Sequence, residues 1–465
     1  MIADTIVIGG GVSGLVAALD LADNRRHVVL FDAAQTLGGS VARGAIGTVE
    51  AELGADAFAC ARPEVPALAA RLGLTEAIVS PRVYQAYLRR DGKNVALPPS
   101  LMGIPLSIDA IEQILGSDAA NEARERDLQP LPDNLPESFG ELVRQRLGAA
   151  VLNDLVDPVV SGVHASRADT VETASILPGF DRHIRTHGSV IAAANALRGG
   201  LGPAGAPVAG FNGGMSTLID ALECQLKANN VSIVTAMPVQ TLTQAGSIWT
   251  VTTETHRVTA KQVVLALPAA IARNVLQGQS DAIQTIRQSL ATFQTTDVTL
   301  VALHVSVTGL DTNDVPVGSG VLVAPRQADV RAKAMTHVSA KWHDMHRRIP
   351  TGSHLFRLSY GGTEAIPATD SAALTTIAVH DLAALLGVPA AAITVHASRV
   401  IAWNGALTRP HIGRMAAVAA IDMALQDVDG LALVGNAYAG NGLAGVVGRA
   451  RREVSRILVA KPTAS

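Results

Sequence analysis

Apolar residues along this chain follow two spacings, one typical of buried strands and one of amphipathic helices. Thr5–Ile8 is a short β-branched run, and from Val12 to Leu21 the apolar residues recur at helical spacing, with glycines in between. The same order of strand, glycine-rich turn and helix returns near the other end of the chain, in residues 433–454. The pattern therefore predicts two strand–glycine–helix units, which hold either two nucleotides or two parts of one.

The middle of the chain changes character twice. Helical spacing dominates from Ile108 to Leu201, interrupted at 118–137 by a charged, proline-containing stretch that predicts an exposed loop. Strand-like segments follow at 232–234, 239–242, 249–252 and 263–267, and longer β-rich runs at 297–305, 318–325 and 354–362. The predicted fold class is α/β, or more fully α+β multi-domain. It comprises a Rossmann-like nucleotide-binding domain built from discontinuous segments, a β-rich domain and a helical insertion.

The first glycine loop has the spacing of a dinucleotide-binding site. Gly9 permits a tight turn, Gly11 lets the backbone approach a pyrophosphate, and Gly14 lets the helix pack on the strand. The helix N-terminus offers free N–H groups to the phosphates. Asp32 ends the next predicted strand, near the distance of about 20 residues at which a carboxylate accepts from ribose hydroxyls. The alternative is a tight turn that only joins packed elements.

Composition excludes several function classes. The chain has 465 residues and a formal charge of −3, so it lacks the basic surface of a nucleic-acid-binding protein. Cys60 and Cys224 form no C-x-x-C motif, so no metal site is expected, and both are predicted to be buried small apolar residues. We find neither a signal peptide nor a transmembrane run. A cytoplasmic location is expected, with at most peripheral membrane contact.

Two stretches after Asp32 indicate which dinucleotide is bound. LGGSVAR (37–43) and EAELGADAF (50–58) resemble the FAD enzymes of the amine-oxidase-like superfamily. The resemblance implies FAD as the cofactor, with Gly38 and Gly39 close to the pyrophosphate and flavin, and Gly54 along the ring. Ser40 stands where those enzymes commonly have a basic residue. The resemblance also adds Ser13 and Ser40 to the cofactor-binding residues.

Eight further stretches match one branch of that superfamily in order and spacing. That branch is the protoporphyrinogen and coproporphyrinogen oxidases of haem synthesis, and the stretches are LPPSLMGIP (97–105), DPVVSGVHAS (157–166), TASILP (173–178), NGGMSTLIDAL (212–222), GVLVAP (320–325), AMTHVSAKW (334–342), SHLFRLSYGG (353–362) and LVGNAYAGNGLAGVVGRAR (433–451). The resemblance implies removal of six electrons from a porphyrinogen in three flavin cycles, with molecular oxygen as acceptor and hydrogen peroxide as product. Coproporphyrinogen III is favoured over protoporphyrinogen IX.

The same resemblance assigns roles to individual residues. Gly162 would place its backbone beside the substrate, although it can also be read as a helix C-cap. His164 would face the substrate or pack in the core, and Arg89 and Arg43 are candidates for the substrate propionates, because Ala86 stands where family members carry an arginine. The remaining implied cofactor contacts include Val239, at the adenine, and Trp403. Gly435 and Gly442 would lie at the ribityl chain and ring. Leu443 and Val446 would lie in the helix that points at the pyrimidine edge.

The resemblance also divides the chain into domains and leaves two rival functions. Residues 1–78, 210–270 and 415–465 would form the FAD-binding domain, 79–107 and 271–414 a substrate-binding β-rich domain, and 108–209 a helical insertion lining the substrate cavity. The first rival is a flavin-dependent amine oxidase, for which Asp297 replaces the expected lysine and Tyr438 alone supplies the aromatic cage. The second is a non-catalytic flavoprotein that delivers porphyrin to the next haem-pathway enzyme, which is a candidate partner in either case.

Overall fold

The computed structural model describes residues 3–60, 62–82, 85–199, 208–325, 327–362, 365–368 and 370–459. Its strands are β1 (Thr5–Ile8), β2 (Val28–Phe31), β3 (Arg43–Ile46), β4 (Val49–Glu52), β5 (Phe58–Ala59), β6 (Ile78–Val79), β7 (Ala86–Arg90), β8 (Lys93–Ala96), β9 (Ser100–Leu101), β10 (Ile104–Pro105), β11 (Val208–Phe211), β12 (Ser232–Val234), β13 (Thr241–Ala245), β14 (Ile248–Thr252), β15 (Arg257–Ala260), β16 (Gln262–Leu265), β17 (Thr295–Val307), β18 (Gly320–Val323), β19 (Ala334–His337), β20 (His354–Gly361), β21 (Ile393–Thr408) and β22 (Leu431–Leu433).

Helices occupy much of the remaining chain, with a π-helical turn at Leu152–Val156 between α6 and α7. They are α1 (Val12–Asp23), α2 (Glu64–Arg71), α3 (Ile108–Leu115), α4 (Ser117–Asp127), α5 (Phe139–Leu147), α6 (Ala149–Val151), α7 (Asp157–His164), α8 (Thr173–Ile176), α9 (Phe180–His187), α10 (Val190–Gly199), α11 (Ser216–Ala228), α12 (Ala269–Val275), α13 (Asp281–Thr292), α14 (Val338–Lys341), α15 (His343–Arg348), α16 (Ser371–Leu386), α17 (Arg414–Ala424), α18 (Asn436–Ala439) and α19 (Leu443–Val459).

A five-stranded parallel sheet carries both glycine loops. Its strand order is β12-β2-β1-β16-β22, so β1 and β22 flank β16. Successive residues of β1 point to opposite faces, because Val7 packs with α1, α11 and α19 whereas Ile6 and Ile8 pack with β14, α12, α13 and α17. Both faces are thus covered, as expected for parallel strands that read as continuous apolar runs. The α/β prediction is confirmed.

A seven-stranded sheet forms the β-rich part of the molecule, in the order β21-β17-β20-β19-β18-β7-β8. Its predicted strands at 297–305, 318–325 and 354–362 are confirmed as β17, β18 and β20. Helix α16 covers one face, where Leu374 and Leu382 pack with Phe356. On this sheet Leu322 lies near Gly162 of α7. A separate apolar core joins the helices between Ile108 and Gly199.

Two sequence predictions are wrong at least in part. The exposed loop predicted at 118–137 is confirmed only for residues 128–137, which form neither helix nor strand. Residues 117–127 form helix α4, because Ala120 and Ala123 are buried and Glu122 pairs with Arg126 one turn later. The charged residues of this helix lie mostly on its outer face, except Asp127, which is buried. The two cysteines, predicted to be buried, are both exposed. Cys224 lies on the solvent side of α11 and Cys60 directly follows the short strand β5.

Candidate cofactor and substrate site

The two glycine loops meet at one edge of the parallel sheet. Strands β1, β16 and β22 run in the same direction, with Ile8 beside Leu265 and Leu265 beside Leu433. Their carboxyl ends therefore lie next to one another, which is where ligands of open α/β sheets bind. Gly9 and Gly435 begin the loops that leave this edge, so segments from opposite ends of the chain face one site.

Two glycines of the first loop are required by packing. Gly9 has a φ of +108°, and a Cβ atom there would overlap the carbonyl oxygen of Ala266. A Cβ atom at Gly14 would overlap the carbonyl oxygen of Gly9. Helix α1 thus lies directly on the turn that precedes it, as the spacing predicts.

Gly11 differs from both, because among the described residues, apart from its two chain neighbours, no atom lies within 4 Å of the position that its Cβ would take. It is the N-cap residue of α1 and supplies no side-chain hydrogen bond to the first N–H groups of the helix. Those N–H groups and the empty space beside Gly11 suit a phosphate, which a helix N-terminus attracts. The spaces beside Gly435 and Gly442 are likewise free of protein atoms. The loops therefore fit a dinucleotide that passes along them.

Asp32 stabilises this turn and remains available to a ligand. One carboxylate oxygen accepts the N–H of Gly10, and the other accepts the N–H of Ala34 at 2.6 Å. A carboxylate has about four lone-pair sites, so two are left for hydroxyl donors such as those of a ribose. Ser13 is buried in the first turn of α1.

The second Gly-Gly pair lies against the first loop. The N–H of Gly38 donates to the carbonyl of Gly10 at 2.8 Å, and a Cβ at Gly39 would be 3.3 Å from the Cα of Gly11. Both residues have positive φ, at +110° and +60°, so the backbone there favours glycine. The motif around 37–43 therefore lines the same path as Gly11.

Gly54, Ser40 and Trp403 form one packed group beside that path. A Cβ at Gly54 would overlap the carbonyl oxygen of Ser40 and lie 3.2 Å from the Trp403 ring. The indole N–H of Trp403 donates to the carbonyl of Leu53 at 2.9 Å. Val239, the residue expected at the adenine, is half-buried and precedes β13 rather than lying in a strand.

The C-terminal loop is fixed to the end of β21. The Asn441 side chain accepts the N–H of Thr408 at 3.0 Å and donates to its carbonyl at 2.9 Å. Helix α19 then begins at Leu443, with Val446 buried in its second turn. The Tyr438 hydroxyl is buried and forms no hydrogen bond among the described residues.

The expected substrate side is formed by the end of helix α7. Gly162 lies in its last turn. A Cβ atom added at Gly162 would lie 2.6 Å from the Leu322 side chain. The C-cap interpretation of Gly162 is wrong, because the left-handed residue that ends α7 is Ala165, at φ +49°. Burial and then the charge of Arg414 lower the pKa of His164 to about 4. His164 is therefore neutral at pH 7 and offers no positive charge to a propionate.

The arginines expected to bind propionates already have acidic partners. Arg89 is buried in an ion pair with Asp329, and Arg43 pairs with Asp220 at 3.0 Å, half-exposed. The sequence analysis missed Arg414, which is buried and donates to the carbonyl of Ala437 in α18 at 2.8 Å. No signal in the sequence marks that contact, because it joins two segments through the fold alone.

Similarity to known proteins agrees with this site. The sequence matches the family described as flavin containing amine oxidoreductase over residues 12–458. The chain belongs to this family. It is a flavin-containing oxidoreductase, and FAD is its cofactor. When bound, FAD accepts a hydride from carbon and passes the electrons on. The residues described above would hold it, with Gly11 at the pyrophosphate and Asp32 at the ribose.

Relatives within the flavin-containing oxidoreductases include proteins named coproporphyrinogen III oxidase. One from Mycobacterium leprae is 31% identical over 97% of each chain, and one from Bacillus subtilis is 24% identical over 97% of each chain. Among solved structures, an Exiguobacterium protein provisionally described as a protoporphyrinogen oxidase has a TM-score of 0.83 and 23% identity, covering 98% of both chains. The cyclohexylamine oxidase of Brevibacterium oxydans has a TM-score of 0.69 at 16% identity, with the same coverage. Both solved structures show the shared fold.

Among the described residues, no group of three or more His, Cys, Asp or Glu side chains could hold a metal ion. Within the same residues, no helix combines the length and the apolar character needed to cross a membrane.

Proposed function

We propose that this flavoenzyme oxidises coproporphyrinogen III to coproporphyrin III in haem synthesis. The macrocycle loses six hydrogen atoms in three flavin cycles. In each cycle two electrons and two protons pass to one molecule of oxygen, which leaves as hydrogen peroxide. One porphyrin and three peroxides are therefore formed from one porphyrinogen and three oxygen molecules.

The observation that carries this proposal is similarity over nearly the whole chain. The relative from M. leprae, named coproporphyrinogen III oxidase, aligns with 97% of this chain, so the agreement extends beyond the FAD-binding segments. Segments from the helices and the β-rich sheet, where Gly162 and Leu322 lie together, are part of that alignment. Protoporphyrinogen IX remains the second substrate candidate.

The region beside α7 is apolar, as contact with a large apolar ring system requires. Ala165 packs with Val298 and Leu300 of β17, and the adjoining side chains from β21 are Ile401, Trp403 and Leu407. His164 is neutral at pH 7, so its own side chain adds no charge next to the macrocycle. The role of these residues would be to hold the ring flat and exclude water while the reacting carbon loses hydride.

The amine oxidase alternative is less favoured by the same region. An amine substrate needs aromatic faces around its nitrogen, but Tyr438 is buried in the core beside Phe293 and Arg449. Asp297, at the position where amine oxidases are expected to have lysine, accepts the N–H of Gly405 at 2.7 Å. Neither residue is arranged as those enzymes require.

One purified protein is enough to test whether the substrate is a porphyrinogen or an amine. The FAD-loaded enzyme is given coproporphyrinogen III, protoporphyrinogen IX and a primary amine in parallel, in air and in the dark. We expect porphyrin fluorescence to rise well above the autoxidation blank with a porphyrinogen, and no peroxide with the amine. Peroxide formed only with the amine would show that the proposal is wrong.

Other features of the proposal concern the surroundings of the enzyme. We propose molecular oxygen as the physiological acceptor, a cytoplasmic location with at most peripheral membrane contact, and transfer of the product to the next haem-pathway enzyme. Oxygen consumption by purified enzyme, fractionation of cells, and co-purification with that enzyme test these three points.

A further inference from the structure

An arginine that the sequence analysis did not consider lies just beyond β21. Arg409 lines an open depression of about 540 Å³, together with Thr295, Thr296, Asp297 and Gly362. That volume lies within the range of small-molecule sites, about 300–1,000 Å³. The depression lies where β17 begins and β20 ends, and Gly362 directly follows the last residue of β20.

The backbone of Arg409 is held on both sides. Its own N–H donates to the carbonyl of Gln294 at 2.8 Å. The preceding residue, Thr408, exchanges two hydrogen bonds with the Asn441 side chain from the C-terminal loop. The backbone position of Arg409 is therefore set by the fold and is tied to the loop that faces the cofactor.

The guanidinium group of Arg409 has unused hydrogen-bonding capacity. Its Nε is buried and has no hydrogen-bond partner among the described residues, and its Nη2 reaches only the carbonyl of Gly362, at 3.4 Å. By contrast, Arg89 and Arg43 are paired with carboxylates, and Arg90 lies 3.4 Å from Asp154. A guanidinium carries five N–H donors, so Arg409 is able to donate two hydrogen bonds to one carboxylate.

The depression adjoins the expected substrate side. A Cβ at Gly362 would lie 3.0 Å from the Cβ of Ala165, the residue that ends α7. Thr296 donates from its hydroxyl to the carbonyl of Gly362 at 3.3 Å. Arg409 therefore contacts Gly362, which in turn lies against the residue that ends the helix carrying Gly162 and His164.

We propose that Arg409 binds a propionate carboxylate of the tetrapyrrole substrate. This rests on the proposed function, because only a carboxylate-bearing substrate needs such a group. Asp297 lies in the same depression and is occupied in part by the N–H of Gly405. Its negative charge disfavours a carboxylate bound next to it, so binding of a propionate depends on the charge of Arg409.

The test uses coproporphyrin III, the stable oxidised tetrapyrrole, titrated into the FAD-loaded protein. Removing one charge-assisted hydrogen-bonding group should weaken binding about tenfold, so R409Q should show a Kd about ten times that of the parent, with R409K in between. The matched control is R399Q on the preceding strand β21, since Arg399 is exposed and donates to the carbonyl of Ala45 at 2.9 Å. Its Kd should stay within about twofold.

Kinetics and salt dependence separate a bound carboxylate from a general loss of charge. In R409Q, KM for coproporphyrinogen should rise while kcat changes little, and Kd should depend less on ionic strength than in the parent. If the parent binds coproporphyrin but oxidises no porphyrinogen, the proposed function fails while the Arg409 effect on Kd still supports the binding role.

Three results would overturn the Arg409 proposal. They are an unchanged Kd in R409Q, an equal weakening in R399Q, and a parent protein that does not bind coproporphyrin at all. R409M is made in parallel because it keeps an unbranched side chain and removes all its hydrogen-bond donors. Failure of both R409Q and R409M to retain FAD would show a structural role and also overturn the proposal.

Discussion

Gly11→Val separates cofactor binding from folding at the first glycine loop. In the protein without FAD, the added side chain begins in space where, apart from the two chain neighbours, no atom of the described residues lies within 4 Å, and the backbone at φ −71° and ψ 175° is ordinary for valine. We therefore expect the free energy of unfolding without FAD to change by no more than about 0.5 kcal/mol. The same side chain occupies the space assigned to the pyrophosphate, so FAD should be lost.

The size of this effect follows from ligand linkage. FAD present at 100 times its dissociation constant stabilises the folded protein by about 2.7 kcal/mol. A hundredfold weaker affinity at the same FAD concentration leaves about 0.4 kcal/mol. Unfolding followed with and without added FAD should thus show a large ligand-dependent difference for the parent and a small one for G11V. The flavin content per chain should fall in parallel.

Gly14→Ala is the matched control. A Cβ at this position would overlap the carbonyl oxygen of Gly9, so helix α1 has to move. Overpacking of this kind costs about 1–3 kcal/mol, and G14A should lose that stability with or without FAD. A G11V protein that retains FAD and its full ligand-dependent stabilisation would refute the assignment of Gly11 to the pyrophosphate.

The remaining predictions concern stability and the loop contacts. Burial and the nearby His354 and His346 lower the pKa of His337 to about 3, from an unfolded value of about 6.5. The stability that neutral His337 contributes to the folded protein is therefore complete above pH 6.5 and is lost as the pH falls toward 3. At pH 5 the loss is about 2 kcal/mol; urea unfolding at pH 5 and pH 8 should show a smaller pH difference in H337F, and an equal difference would contradict this cause. Asp127 accepts the N–H of Val190 at 2.7 Å and lies 3.7 Å from buried Arg146, so D127A should lose about 3–5 kcal/mol, whereas E125A on the exposed face should lose less than about 0.5. Equal losses would mean that the buried pair is not the cause. N441A removes both bonds to Thr408 and should lose about 1–3 kcal/mol together with affinity for coproporphyrin; unchanged affinity would show that Asn441 does not position Arg409.

The FAD-binding edge could be predicted because its signals are local. Gly9, Gly11 and Gly14 lie between a strand and a helix that adjoin them in sequence, and each has an environment that fits its expected role. That the C-terminal loop joins the same edge depends on β16 lying between β1 and β22, which no local pattern encodes. The resemblance supplied that link, and the sheet order accounts for it.

The substrate side was less predictable because its contacts join distant segments. Arg89 was a propionate candidate, but the fold places Asp329 beside it. Arg409 was not predicted, because its surroundings come from β17, β20 and the C-terminal loop. The residue types also gave wrong predictions of which side chains are buried. Most of the charged residues after Gly116 lie on the outer face of a helix, and Cys224 lies on the solvent side of another.

The central claim is that this flavoprotein oxidises a porphyrinogen with oxygen. The most direct measurement is the ratio of hydrogen peroxide released to coproporphyrin formed, with the autoxidation blank and the flavin-free G11V protein subtracted. Six electrons delivered two at a time to oxygen predict three peroxides per porphyrin. Coproporphyrin formation no faster than in the G11V control, or peroxide without porphyrin, would contradict the account.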